Sequence, residues 1–218
     1  MLNMKRTRKM IKLSATVFFT FMLLSLSAQV YEVKSPNGNL SFKLTVGSDI
    51  KYTVTHGSTW LIIPSPIALR VNGGTVLGAN PVVSSTQTNS VSSTITNLYG
   101  KNRTLDEVYN ERRINFNGNY SLIIRAYDEG VAYRFVTSLA GEMIVDFETA
   151  TFNLAGTPGV YFPEGDDALS TWERSYTRFN SINEIAVNRF SVTPTMFSYP
   201  AQGLRLLVAE SDVLDYPG

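Results

Sequence analysis

The sequence has 218 residues, of which 44% are hydrophobic and 17% charged, and its formal net charge is +1. It contains no cysteine, which excludes disulfides, thiol nucleophiles and zinc–thiolate sites. Its single histidine, His56, lies in the turn-like sequence His56-Gly57-Ser58, where a solvated side chain is expected. A Ser-His-Asp triad would have to use this histidine, so such a triad is not expected.

The first 28 residues have the pattern of a secretory signal peptide. A basic segment precedes an apolar stretch over residues 13–26, and Ala28 offers a small residue at a cleavage site. The apolar stretch has about 14 residues, whereas a spanning helix needs roughly 20, so we expect export and cleavage rather than a permanent anchor. The expected product, residues 29–218, is periplasmic, on the cell surface or secreted, with no membrane span.

Removal of this segment reverses the sign of the net charge. Five of the 19 basic residues and none of the 18 acidic residues lie in it, which leaves 14 basic and 18 acidic residues, a formal charge of −4. A nucleic-acid surface needs a basic stripe that replaces counterions. We therefore expect no nucleic-acid partner.

Beyond residue 30, apolar and polar residues alternate with a period of two. In the segment LSFKLTV at 40–46, the apolar side chains share one face and Ser, Lys and Thr the other, which predicts a half-buried strand. Similar patterns predict strands at 50–55, 59–63, 67–71, 91–96, 120–127, 131–137, 142–152, 189–196 and 203–209.

Turn residues separate these predicted strands. Asn72-Gly73-Gly74 and Asp128-Glu129-Gly130 are typical of hairpins, because glycine accepts the positive φ of a tight reversal. The Ser- and Thr-rich stretch 84–97 is predicted to be a surface loop or a sheet edge. Short strands, close turns and no helical period predict an all-β fold, a sandwich of antiparallel sheets in one domain.

The segment 163–176 is the richest in polar groups, with four carboxylates and two aromatic residues. Carboxylates on a flexible loop could bind calcium, which takes six to eight oxygen ligands, although the spacing is not that of an EF-hand. A pair of them could also serve as the acid and base of a glycosidase. The residues alone favour a third interpretation, a solvated loop with Trp172 and Tyr176 packed against the sheet.

A second polar segment runs from Tyr99 to Arg113. Its aromatic residues stand beside amides and charges, which suits the apolar faces and hydroxyls of sugars. The same composition describes an exposed loop with an edge strand, and both interpretations stay open. Arg125, Asp128 and Arg134 flank the predicted hairpin at 120–137, where an Arg–Asp pair would be structural rather than catalytic.

Five segments, in this order, resemble sequences of glycoside hydrolase family 97. Arg125–Phe135 (RAYDEGVAYRF) is the most specific of them, and Arg112, Arg113 and Ser211 depart from the usual pattern. The segments are Ser35-Pro36-Asn37-Gly38-Asn39-Leu40, Pro64-Ser65-Pro66-Ile67-Ala68-Leu69, Gly100-Lys101-Asn102-Arg103 through Tyr109-Asn110-Glu111, Arg125–Phe135, and Ala209-Glu210-Ser211 through Leu214-Asp215-Tyr216-Pro217-Gly218.

This resemblance implies an N-terminal antiparallel β super-sandwich similar to galactose mutarotase. In the family, a catalytic (β/α)8 barrel and a small C-terminal β domain follow it. The resemblance implies an exported, calcium-dependent, exo-acting α-glycosidase, commonly an α-glucosidase or α-galactosidase. Because the family's catalytic acid, its base or nucleophile and most calcium ligands lie on the barrel, no catalytic residue is expected in residues 29–218.

The resemblance also implies one metal ligand in this chain. The family's N-terminal domain supplies a glutamate from an acidic loop to the calcium, and Glu173 occupies the matching position, with Trp172 and Tyr176 nearby as in the family. A single carboxylate does not hold calcium tightly, so the other ligands would come from the barrel.

Two functions from different classes follow. The first is the barrel-packing, active-site-shaping domain of an α-glycoside hydrolase, not catalytic alone, encoded as a truncated or separated chain that stops on the turn sequence Asp215-Tyr216-Pro217-Gly218. The alternative is a free-standing exported carbohydrate-binding or interaction module. The residues do not distinguish glucosides from galactosides, or retention from inversion.

Overall fold

The computed structural model describes residues 28–96, 101–165 and 175–211. Within these ranges the chain forms fourteen β-strands and two 3-10 turns and contains no α-helix. The strands are β1 Gln29–Lys34, β2 Leu40–Val46, β3 Ile50–His56, β4 Thr59–Val71, β5 Thr75–Leu77, β6 Val83–Thr96, β7 Thr104–Phe116, β8 Tyr120–Tyr127, β9 Val131–Thr137, β10 Val145–Ala150, β11 Gly159–Phe162, β12 Thr177–Phe179, β13 Thr195–Tyr199 and β14 Leu204–Val208. The turns are η1 Ile182–Glu184 and η2 Pro200–Gln202.

The strands form three antiparallel sheets. The first sheet has the order β1-β2-β3-β4-β10, with β5 also paired to β4; the second has the order β6-β7-β8-β9; the third has the order β12-β11-β13-β14. Neighbouring strands of the first two sheets are mostly consecutive in sequence, which is the meander expected from the close turn signals. The predicted all-β sandwich is confirmed.

The core lies between the first and second sheets, where β1 and β2 face β8. Leu44 and Ile50 of the first sheet and Leu122 and Ile124 of the second are fully buried. Phe42 stacks on Tyr52 with ring centroids 5.1 Å apart. The alternation in 40–46 matches the inner face, because its four apolar residues are all buried, whereas Lys43 is exposed and Ser41 is the one polar residue buried with them.

Both predicted hairpins are confirmed. Asn72 and Gly73 have positive φ values between β4 and β5. The amide of Tyr127 donates to the carbonyl of Gly130 at 2.8 Å, which closes the β8–β9 turn. His56 ends β3, half-buried, and pairs with Thr59 across the Gly57-Ser58 turn.

The strand bounds differ from the prediction in several places. The predicted strands 59–63 and 67–71 are one strand, β4, and the stretch 84–97 is largely the edge strand β6, as one of the two alternatives had it. The prediction of a strand at 189–196 is wrong, because β13 begins only at Thr195. Asn188 has a φ of +69°, and Ser191 and Thr195 bond to each other at 2.9 Å in a local turn.

The predicted signal peptide, apart from Ala28, lies outside the described residues. None of the helical turns in the described ranges is long and apolar enough to cross a bilayer.

Candidate functional site

The acidic segment predicted as a calcium loop begins directly after β11. Glu173, the predicted ligand, lies outside the described residues together with Asp166, Asp167 and Trp172. The structure describes the two ends of the segment, 163–165 and 175–176. The position of Glu173 relative to any other carboxylate therefore stays a prediction.

The first end of this segment is held by an ion pair. The guanidinium of Arg189 donates two hydrogen bonds to the carboxylate of Glu164, one of them 2.6 Å from Nε to Oε1. These bonds hold the pKa of Arg189 above its ordinary value. The same guanidinium lies 5.5 Å from the ring centroid of Phe162 and 5.3 Å from that of Phe179. Glu164 thus fixes the described start of the acidic segment.

The other end of the segment carries an exposed aromatic side chain. The ring of Tyr176 contacts Tyr161 of β11 edge-on, with centroids 5.3 Å apart, and Arg178 covers Tyr161 at 5.7 Å. The expectation that Tyr176 packs against the sheet is only half met, because its side chain touches the sheet but is 62% exposed.

Across ranges 28–96, 101–165 and 175–211, no three histidine or acidic side chains lie close enough together to hold a metal ion. Glu164, the one carboxylate of the acidic segment that is described, is bound to Arg189. The described residues therefore offer no calcium site of their own.

A second cluster joins two of the segments that suggested the family. Tyr109 and Glu111 of β7 lie opposite Tyr127 and Arg125 of β8. Arg125 Nε donates to Glu111 Oε2 at 2.7 Å, and its guanidinium lies 4.4 Å from the Tyr109 ring centroid. Burial raises the pKa of Tyr109, and the nearby Arg125 partly offsets this. The cluster is a satisfied ion pair between strands, a structural rather than a reactive arrangement.

The expected Arg–Asp pair of the β8–β9 hairpin is wrong for Arg125. Its partner is Glu111, because the two strands place these residues directly opposite each other. Asp128 instead accepts a hydrogen bond from the backbone amide of Asn37 at 2.8 Å. This bond ties the β8–β9 turn to the β1–β2 turn.

An apolar cleft of about 310 Å³ lies next to the start of the acidic segment. Phe162, the last residue of β11, forms one wall and leads into that segment. The remaining lining residues are Phe152, Ile182, Ile185, Ser191, Thr195, Phe197 and Val208. Val187, two residues beyond Ile185, is 90% exposed. This end of the domain thus presents apolar surface to its surroundings.

Residues 33–218 match the protein family described as glycosyl-hydrolase 97 N-terminal. The chain belongs to this family. The five segments that resemble family 97 fall within this match, so the prediction of the family is confirmed. The most specific of them, Arg125–Phe135, forms the end of β8, the hairpin turn and the start of β9.

Two curated relatives show how much of a longer protein this domain represents. The retaining alpha-galactosidase of Bacteroides thetaiotaomicron is 28% identical over 219 residues, which cover 95% of this chain and 32% of the relative. A probable retaining alpha-galactosidase of Streptomyces bingchenggensis is 28% identical over 189 residues, 82% of this chain and 27% of the relative. The chain therefore spans about a third of their length or less.

Solved structures agree on the fold of the family 97 N-terminal domain. A glycoside hydrolase family 97 enzyme from Pseudoalteromonas sp. strain K8, solved in complex with acarbose, superposes with a TM-score of 0.65 at 19% identity, covering 77% of this chain and 26% of that one. A beta-arabinopyranosidase superposes with a TM-score of 0.66 at 19% identity, covering 77% and 29%.

Sequence reasoning missed the Glu164–Arg189 anchor. The two residues are 25 positions apart in sequence, and no sequence pattern pairs them. Their proximity follows from the bridge between Glu164 and Ser191, which only the folded chain shows.

Proposed function

We propose that this domain is the non-catalytic N-terminal part of an exported α-galactosidase or α-glucosidase. It packs against the catalytic (β/α)8 barrel and shapes the entrance to the barrel's active site, where α-linked galactosides or glucosides are hydrolysed. The observation that carries this proposal is the family match over residues 33–218, together with the similarity to two retaining alpha-galactosidases.

The apolar cleft supports the position of the barrel. Its lining is almost entirely apolar and it is open to solvent, so covering it removes hydrocarbon surface from water. It adjoins the acidic segment through Phe162. A barrel seated on this cleft would therefore meet the segment that carries Glu173.

Three of the described carboxylates support a structural role for the strands. Glu111 is bound by Arg125, Glu164 by Arg189, and Asp128 by the amide of Asn37. Each of these oxygens already accepts a strong hydrogen bond from its own domain. The acid and base of hydrolysis would come from the barrel, where one carboxyl group protonates the leaving oxygen.

Glu173 is the proposed contribution of this domain to a calcium ion. It would supply carboxylate oxygen, and the barrel would supply the remaining ligands. Calcium, when bound, would orient or polarise the substrate beside the catalytic acid.

The gene downstream of residue 218 tests the link to a barrel. An in-frame or frameshifted sequence for a (β/α)8 barrel is the expected finding. An unrelated gene after a clean stop would favour a free-standing exported carbohydrate-binding or interaction module.

Activity measurements test the division of labour. The 218-residue chain is expected to release no p-nitrophenol from p-nitrophenyl α-galactoside or α-glucoside with calcium present. Joined to its barrel it should hydrolyse one of them, and Glu173→Gln should raise the calcium concentration that gives half-maximal activity. Glu210→Gln, a change at an exposed glutamate, is the matched control. Hydrolysis by the chain alone, or an unchanged calcium requirement in Glu173→Gln, would contradict the proposal.

A further inference from the structure

A groove of about 500 Å³ lies where the β3–β4 hairpin meets the segment before β11 and the η2 turn. This is within the size range of pockets that hold small ligands. Trp60 lines it from β4 and is 50% exposed. Five hydroxyl and amide side chains complete the polar part of its lining: Thr59, Thr157, Asn180, Ser198 and Gln202.

The described lining of the groove is uncharged. All thirteen described residues that line it are neutral. A charged ligand that enters the groove would lose hydration and gain no counterion, and this desolvation costs free energy. The lining therefore selects for a neutral ligand.

The polar side chains of the groove are available to a ligand. Among the described residues, none of the five side chains makes a hydrogen bond within the protein. The side-chain amides of Asn180 and Gln202 each have two donor hydrogens and one acceptor oxygen. Each can therefore donate a hydrogen bond to a ligand hydroxyl group or accept one from it. A partly exposed indole beside such groups suits the apolar face and hydroxyl rim of a pyranose ring.

The walls of the groove are fixed before a ligand arrives. The amide of Ala155 donates to the carbonyl of Leu61 at 3.0 Å, and the hydroxyl of buried Tyr199 donates to the same carbonyl at 3.3 Å. The carbonyl of Pro158 accepts from the amide of Ile182 at 2.8 Å. These bonds join all three walls. Little backbone conformational entropy is therefore lost when a ligand binds.

We infer that this groove binds a neutral saccharide of one or two pyranose units. One ring stacks on Trp60, and its hydroxyls bond to Asn180 and Gln202. The inference concerns this domain's own surface and does not depend on the presence of a barrel.

Saturation-transfer NMR on the 218-residue chain tests the inference. Titration with galactose, glucose, melibiose and maltose should give saturable binding in the millimolar range for at least one sugar. Trp60→Ala should abolish the signal, Trp60→Phe should keep part of it, and Asn180→Ala or Gln202→Ala should weaken binding about tenfold. Glucuronate, which has a similar ring but a charge, should bind at least about tenfold more weakly than glucose.

Phe147→Ala is the matched control, because Phe147 is an aromatic residue of β10 with 59% exposure and lies outside the groove. It should leave the affinity unchanged, and circular dichroism should show every variant folded. The absence of saturable binding for all four sugars, or equal binding by wild type and Trp60→Ala, would overturn the inference.

The two proposals fail separately. Hydrolysis by the chain alone would remove the proposed function and leave the groove in place. Loss of binding to the groove would leave the role beside a barrel untouched.

Discussion

At the scale of single residues, Glu32 shows how one hydrogen bond couples stability to pH. The hydroxyl of Ser41 donates to Glu32 Oε1 at 2.7 Å, and Lys43 Nζ lies 3.7 Å from the same oxygen. The Ser41 bond, helped by Lys43, lowers the pKa of Glu32 below its ordinary value of 4.5. Stability from a lowered carboxyl pKa is present above the unfolded pKa and is lost as the pH falls through the folded pKa.

Ser41→Ala should therefore lower the free energy of unfolding at pH 7, because it removes the main cause of the shift. The difference from wild type should shrink as the pH falls through the folded pKa of Glu32, where both proteins carry a protonated carboxyl group. Urea denaturation from pH 7 to pH 3 measures this. Ser92→Ala, at an exposed serine without a side-chain hydrogen bond, is the control; a pH-independent effect of Ser41→Ala would contradict the argument.

At the scale of elements, a strand was easiest to predict where its apolar alternation matched one buried face. The alternation of 40–46 revealed β2 because every second residue enters the core. For 99–113 an edge strand was only one of two open alternatives, and the structure has an interior strand, β7, between β6 and β8. Residues 104–108 gave little signal because they project beyond β8 as a ribbon with β6 and bury almost nothing. The partner of Arg125 could not be predicted either, since choosing Glu111 requires the β7–β8 register.

A hydrogen bond to Tyr120 of β8 connects the second sheet to the first. The amide of Gly78, just after β5, donates to the hydroxyl of Tyr120 at 3.3 Å in a buried position. Tyr120→Phe keeps the stack on Phe116 but leaves that amide unpaired, and should cost about 1 kcal/mol of unfolding free energy.

Tyr31→Phe is the control for this measurement, because the Tyr31 hydroxyl bonds to Gln29 in an exposed position. Its loss should cost less than about 0.5 kcal/mol. Urea denaturation at pH 7 gives both values. Equal costs for the two variants would show that the bond between β5 and β8 adds nothing to stability.

At the scale of the whole molecule, the family and the all-β architecture were accessible from the sequence, whereas the open apolar cleft was not. A motif and its place in the order of motifs can be recognised in the sequence alone, so Arg125–Phe135 pointed to the family before the fold was known. The apolar cleft combines Phe152, Phe162 and Val208 from three separated segments. Each looks like an ordinary core residue in the sequence, and only the fold shows that together they line an open surface.

The open cleft predicts the behaviour of the chain without a barrel. Apolar surface left in water binds hydrophobic dyes and promotes self-association. Ile185→Ser combined with Val187→Ser, one residue in the cleft and one exposed beside it in sequence, should lower dye fluorescence and self-association relative to wild type. Val30→Ser combined with Val82→Ser changes two exposed valines elsewhere and should do neither. Dye titration and light scattering provide the measurements.

A wild-type chain that stays monodisperse and binds no dye would contradict this prediction. The cleft would then not be an apolar surface that a partner covers, and the proposed barrel contact would have to lie elsewhere on the domain.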